Sequence, residues 1–225
     1  MTGRVALAVM AKLPAAGEVK TRLCPPLTPA EAAALARCFL LDRLEQLGEV
    51  SDGDALVAFA PKERDVEMRG LVPTGVRLVP QEGADLGARL DRVLTDLLAE
   101  GYGGAVAVDA DSPTLPTAYL RRACAVLRDA AVDVVVGPCE DGGYYLIGLR
   151  APAPALFADM PWSTAMVTEE TLARALRLGL RLAILPSWFD VDRGEDLARL
   201  RAPAPPEAFR PPRTLGLLQA GRLPA

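Results

Sequence analysis

VAVDADSPTL, residues 106–115, decides the fold, because an apolar run passes directly into two aspartates, a serine and a proline. An apolar β-type segment that stops on carboxylates predicts a buried strand that ends either at a ligand site or in a plain turn, and the rest of the chain has to decide between them. Working outward, β-type runs are expected at Val5 to Met10, Ala55 to Ala60, Val76 to Val79, Ala105 to Val108, Val132 to Val136, Tyr144 to Leu149 and Leu182 to Leu185. Amphipathic helical stretches separate most of them. That alternation predicts an α/β fold with a mixed, mostly parallel sheet and helices on both faces.

The helices carry their own signals. Thr28-Pro29-Ala30-Glu31 reads as a capping box with proline at the first helical position, followed by Leu35, Phe39, Leu40, Leu44 and Leu47 at helical spacing. Asp85 is placed to cap a helix from Leu86 to Glu100. Further helices are expected over Thr117 to Arg128, over Thr164 to Leu178 and from about Arg193, where Asp192 and Glu195 are spaced as a second capping box. Residues 1–200 read as one domain, and residues 201–225 as a proline-rich tail, with no internal repeat and no heptad pattern.

With 225 residues, 51% hydrophobic and 24% charged, the chain has the balance of a globular domain with one large core. A formal charge of −4 supplies no basic field for a nucleic-acid backbone. The apolar N-terminal run is too short to span a membrane. Cys24, Cys38, Cys124 and Cys139 form no CxxC pair, and the chain has no histidine, so reduced thiols in a cytoplasmic protein are expected rather than a zinc site.

The segments after the strands hold the chemistry. After the first comes the loop Lys12 to Leu23, where Pro14 and Gly17 shape the backbone and Lys12, Lys20 and Arg22, with Thr21, could surround a polyphosphate. It is neither a Walker loop nor a GxGxxG fingerprint, and a solvated basic loop is the plainer account. Gln81 and Gly83 follow the third strand and offer a side-chain amide and an open backbone to a nucleobase edge. Asp109 and Asp111 follow the fourth; extended, they share a face and suit Mg2+ or Mn2+, while an Asx-type turn at Asp111-Ser112-Pro113 is the structural alternative. Glu140, Asp141, Gly142 and Gly143 form a turn signal that could also meet substrate hydroxyls or metal. Asp190, free of any capping role, is the better candidate for a second acidic contribution to a shared cation.

Taken together, KLPAAGEVKTRL, QEGADLGARL, DSPTL, GPCEDGGYYLIGL, PWST and DVDRGEDL resemble a bacterial family of GT-A-like transferases, the radical-SAM/selenodomain-associated type. That family is similar to the 2-phospholactate and molybdenum-cofactor guanylyltransferases. The resemblance spans residues 4 to about 200. It implies a Rossmann-like GT-A three-layer sandwich, a nucleotide held by the loop after the first strand, and a divalent cation on Asp111 with Asp190 or Asp192. It also implies an acceptor side formed by Asp141, Gly142, Gly143 and Tyr144, to which Trp162 and Ser163 are added as pocket candidates. Where relatives usually carry glycine this chain has Asp109, which either adds a ligand or alters what the pocket accepts.

Fold does not settle the reaction. Attack by a phosphate-like oxyanion on the α-phosphorus of an NTP needs no base, only cations around the triphosphate, and Lys20, Arg22 and Asp111 are the candidate catalytic groups for it. Attack by a hydroxyl on a nucleotide-sugar needs a base, for which only carboxylates such as Asp141 are at hand. The expectation is therefore nucleotidyl transfer from an NTP to a small anionic metabolite with release of pyrophosphate. Sugar transfer from a nucleotide-sugar is second, and an inactive nucleotide-binding regulator third. Neither nucleic acid nor membrane is an expected partner, and a monomer and a homodimer are equally open.

Overall fold

A computed structural model describes residues 3–220 of the chain; residues 221–225 of the tail lie outside the described residues. Seven strands form one sheet: β1 (Val5–Lys12), β2 (Gly53–Ala60), β3 (Arg77–Pro80), β4 (Gly104–Val108), β5 (Val134–Pro138), β6 (Tyr144–Leu149) and β7 (Leu182–Ile184). They lie in the order β3-β2-β1-β4-β6-β5-β7. All neighbours are parallel except β6, which runs antiparallel to both β4 and β5. The expected mixed, mostly parallel sheet is what forms.

Side-chain alternation sorts the core into two layers. Along β1, Val5, Leu7, Val9 and Ala11 join Leu40, Leu44 and Leu47 of α1 (Pro29–Gly48) and Leu120 and Leu127 of α4 (Thr117–Arg128). Ala6 and Ala8, pointing the other way, meet Leu90, Val93, Leu94 and Leu97 of α3 (Leu86–Ala99) and Ala175 of α5 (Val167–Arg177). Helices thus cover both faces and complete three layers, as expected for strands whose two sides are both apolar.

The predicted starts of α1 and α3 form: Thr28 Oγ1 accepts from the Glu31 N–H while the Glu31 carboxylate accepts from the Thr28 N–H, and Asp85 Oδ1 accepts from the Ala88 N–H at 2.8 Å. Two predicted starts do not. α5 begins at Val167 because Thr164 is used one turn earlier, donating to the Pro161 carbonyl and accepting from the Met166 N–H. The capping box at Asp192 and Glu195 is replaced by the Asp196 carboxylate, which accepts from the N–H groups of Asp192 and Arg193, so that α6 is the short helix Asp196–Arg201.

Two helices have no counterpart in the sequence reading. α2 (Asp65–Leu71) follows β2 and buries Met68. Within the proline-rich stretch, α7 (Pro212–Gln219) docks on α1, where the buried Asp42 carboxylate accepts from the N–H groups of Arg213 and Thr214. Among the described residues no helix is long and apolar enough to cross a membrane, and the four cysteines are free thiols.

The chain leaves β1 toward β2 and β3 on one side and returns to β4 on the other. Carboxyl ends of β1 and β4 therefore flank a topological switch point, the place where loops diverge and leave a crevice.

Candidate functional site

One hydrophobic cluster and one backbone hydrogen bond build this crevice. The 3-10 turn Thr21–Leu23 follows the β1 loop, and its Leu23 is buried with Leu35 and Phe39 of α1 and with Val191 and Leu197. This cluster brings the β1 loop against the segment after β7. The Val191 N–H then donates to the Asp111 carbonyl at 2.8 Å, which ties the acidic loop after β4 to the same place.

Lys12, Lys20, Thr21, Arg22, Gln81, Arg89, Asp111 and Asp192 consequently line one cleft of about 350 Å³. A neighbouring lobe of about 500 Å³ shares Lys12, Gln81 and Arg89 and extends past Gly83, Glu82 and Lys62. Most residues proposed for the nucleotide thus surround one crevice with two lobes. Pro14 and Gly17 line neither lobe; Gly17, at φ +80°, serves the turn that carries the loop round.

Lys20 is the best-fixed group in it. Its side chain is 5% exposed, and its Nζ lies 2.9 Å from Asp111 Oδ1, 3.6 Å from Asp192 Oδ1 and 2.7 Å from the Val191 carbonyl. Burial opposes its charge, but Asp111 and then Asp192 outweigh that and raise its pKa. Its backbone is left-handed, φ 49° and ψ 36°, a conformation costing a non-glycine residue about 1 kcal/mol. Arg22 pairs with the other oxygen of Asp192 at 2.9 Å, so Asp192, freed from capping, bridges two cations.

The Gln81 amide is oriented by backbone. Its Nε2 donates to the carbonyls of Ala58 at 2.7 Å and Ala11 at 3.3 Å, which directs the acceptor Oε1 away from them. Arg89, given no role from sequence, donates to the Gly83 carbonyl and reaches both lobes. Its position one turn after the Asp85 cap was the available signal.

Asp109 takes the structural course. Ser112 Oγ donates to its Oδ2 at 2.6 Å, and Arg43 Nη2 lies 3.4 Å from its Oδ1, so both oxygens have partners. Arg43, which sequence reading passed over, is 2% exposed; it also donates to the carbonyls of Asp109 and Ser112 and to Gln46 Oε1. Burial pushes Asp109 up to about 7, and the Arg43 guanidinium, working in the opposite direction, offsets only part of that.

That shift has a stability consequence of definite sign. The folded state binds the Asp109 proton more tightly than an unfolded chain with the ordinary value of 3.8. This contribution is full below about pH 4 and is lost as pH rises through about 7. Thermal denaturation across that window should show stability falling with pH, and Asp109→Asn should flatten the fall; an unchanged slope in the variant would remove Asp109 as its source.

The residues expected on the acceptor side separate into two groups. Cys139 Sγ and carboxylate oxygens of Asp141 and Asp190 lie within 4.8 Å of one another, a candidate cation site among the described residues. Burial, then Asp141, pushes Asp190 up to about 6. Gly142 and Gly143, by contrast, are used internally. Gly142 has φ +92° and a Cβ there would strike the Ala165 carbonyl, while its own carbonyl accepts from the Thr168 N–H. The Gly143 carbonyl accepts from the Cys139 N–H and the Thr168 hydroxyl. Their open backbone, expected from sequence, is spent on seating α5. Tyr144 and Trp162 meet edge to face at 6.4 Å, with Tyr144 OH and Trp162 Nε1 buried without a partner among the described residues. Ser163 is exposed with φ 64°. None of these five lines the two-lobed crevice.

Comparison with known proteins agrees with this architecture. The family model described as "Uncharacterized protein conserved in bacteria (DUF2064)" matches residues 43–164. A phosphoenolpyruvate guanylyltransferase of Rubrobacter xylanophilus is 32% identical over 137 residues, which are 60% of this chain and 64% of that protein's length. A 2-phospho-L-lactate guanylyltransferase of Methanothermobacter thermautotrophicus is 27% identical over 188 residues, 80% of this chain and 78% of the relative. A crystal structure from Desulfovibrio desulfuricans G20, provisionally assigned to the nucleotide-diphospho-sugar transferases, superposes with a TM-score of 0.85 at 29% identity, covering 97% of this chain and 95% of the other.

Proposed function

The chain belongs to the bacterial DUF2064 family, and from that premise we propose that it is a divalent-cation-dependent nucleotidyltransferase, joining an NTP-derived nucleotide to a small phosphate- or phosphonate-like acceptor and releasing pyrophosphate. One observation carries the reading: at the switch point of the sheet, Lys12, Lys20, Arg22 and Arg89 line a single cleft together with Asp111 and Asp192. Cations alone would suit any anion. Cations opposite paired carboxylates suit a triphosphate that brings a metal ion with it.

The residues present fit such an ion. A positive charge, the Lys20 ammonium, already sits among Asp111, Asp192 and the Val191 carbonyl, an all-oxygen environment of the kind Mg2+ and Mn2+ prefer. Asp111 and Asp192, backed by Asp190, would hold it, and it would supply charge stabilisation to the phosphate oxygens. Asp109, held by Ser112 and by Arg43 of α1 and lining neither lobe, is assigned to shaping the acidic loop rather than to holding the ion.

In this reading Lys12, Arg22 and Arg89 bind the phosphate chain and orient its α-phosphorus toward the acceptor. An acceptor oxyanion forms the new bond to that phosphorus, the bond to the β-phosphate oxygen breaks, and pyrophosphate leaves with the electron pair. No proton has to be removed, which suits a chain without histidine. Gln81 Oε1 presents an acceptor to N–H donors of a base edge, as guanine displays, and the names of both curated relatives specify guanylyl transfer. The same names suggest a phosphorylated three-carbon acid as acceptor. The reduced state of all four thiols is in keeping with a cytoplasmic site of action.

A second reading has its own observation. Asp190, pushed up to about 6 beside Asp141, is suited to take a proton from a hydroxyl acceptor, as transfer from a nucleotide-sugar requires. One experiment separates the two. With Mg2+, each of the four common NTPs and a panel including phosphoenolpyruvate and 2-phospholactate, pyrophosphate should appear for at least one pair, GTP foremost. Pyrophosphate from none, with free nucleoside diphosphate released from a nucleotide-sugar, would replace the first reading by the second.

A further inference from the structure

We infer that Lys20 is a place-holder for the divalent cation: its ammonium occupies the position between Asp111 and Asp192 until the metal arrives together with the nucleotide, so that metal binding depends on nucleotide binding. The inference rests on the proposal that this cleft takes a metal-bound nucleotide. It does not depend on which bond of that nucleotide is broken.

Three features of Lys20 point to this role. First, an ammonium has three donors, and three oxygens surround this one, from Asp111, Val191 and Asp192 at 2.9, 2.7 and 3.6 Å. The contacts engage the same two carboxylates a metal would need. Second, the side chain is 5% exposed, and the Phe39 ring lies 6.0 Å from its Nζ. Its position is therefore built by the core rather than adopted by a mobile surface lysine. Third, the charges already balance: the two carboxylates of Asp111 and Asp192 meet the two cations Lys20 and Arg22.

A divalent ion entering alone would face an ammonium at contact range, and like charges at that distance repel strongly in a part-buried site. A triphosphate changes both sides of this competition. It gives Lys20 and Arg22 new oxygen partners, and it adds phosphate oxygens to those of Asp111 and Asp192 around the metal. Lys20 then leaves the carboxylates for the phosphates. Metal and nucleotide thus bind with positive coupling, and removal of the ammonium should uncouple them.

Mn2+ alone, titrated into the full chain and followed by the electron paramagnetic resonance of free Mn2+, tests this without any reaction. Lys20→Gln and Lys20→Ala should each bind Mn2+ about tenfold more tightly than the unaltered protein. Adding Asp111→Asn to either should abolish that gain. Equal or weaker Mn2+ binding by both lysine variants would overturn the inference, as would a gain that survives Asp111→Asn, since the ion would then sit elsewhere, for example at Cys139, Asp141 and Asp190. Lysine-selective NMR of the unaltered protein provides a measurement independent of variant folding. The Lys20 ammonium signal should stay in place with Mg2+ alone and move with Mg2+ plus GTP; displacement by Mg2+ alone would overturn the inference. A protein that proved to move sugars would fail the pyrophosphate assay and still give these Mn2+ results.

Discussion

Asp111→Asn is expected to lower turnover by at least about 10³-fold, or ~4 kcal/mol of transition-state stabilisation, while leaving the protein folded. The expectation follows from what this carboxylate alone combines. It lies in the cleft, it pairs with buried Lys20 at 2.9 Å, and its backbone carbonyl accepts from the Val191 N–H. An amide keeps the shape and one acceptor oxygen, and leaves that backbone contact intact. It loses the charge that balances Lys20 and that a cation would require. Thermal denaturation separates the effects. The unaltered protein should gain about 2.7 kcal/mol from GTP and Mg2+ at a hundred times their dissociation constant, and the variant should gain little, with its ligand-free stability close to that of the unaltered chain. A variant with full turnover and the full ligand-induced shift would take Asp111 out of the site.

What sequence reading could see follows from the range of the interactions involved. All seven strands were legible because each is a compact apolar run whose neighbours are also strands, and the caps Thr28 and Asp85 were legible because cap and helix are adjacent in the chain. α7 was not, because its start is fixed by Asp42, 171 residues away from Arg213 in sequence. The same holds for Asp192. Locally it is spaced as a cap, and only the burial of Leu23 with Val191 shows that it faces Lys20 and Arg22 instead. Glycines 142 and 143 looked available because the segment that covers them, Ala165 and Thr168 around the start of α5, lies more than twenty residues on. Most residues that line the crevice were readable, since they follow strand ends; Arg89, inside α3, was not. Those that hold the crevice in shape were not.

Arg43→Ala is the clearest case of the second kind and should destabilise the fold by about 3–5 kcal/mol, the usual cost of breaking a buried charge network from one side. The α1 pattern contained a clue: Arg43 falls between Leu40 and Leu47 at helical spacing, so it belongs to the buried stripe, together with Asp42 and Gln46. There its guanidinium serves the carbonyls of Asp109 and Ser112, the Asp109 carboxylate and Gln46 Oε1. Alanine leaves all four acceptors, those of Ser112 and Gln46 buried, without that donor. Because Asp109 and Ser112 flank Asp111, one buried side chain of α1 grips the acidic loop on both sides of its cleft-facing carboxylate. Arg43→Lys, which keeps the charge but not the forked geometry, should fold and yet bind GTP and Mg2+ less tightly than the unaltered protein. Denaturant unfolding gives the direct check, and a double-mutant cycle with Asp109→Gly the finer one: removal of both partners should recover about 0.5–3 kcal/mol relative to the sum of the single changes. A loss below about 1 kcal/mol for Arg43→Ala, or strict additivity in the cycle, would show that the acidic loop holds its place without this arginine.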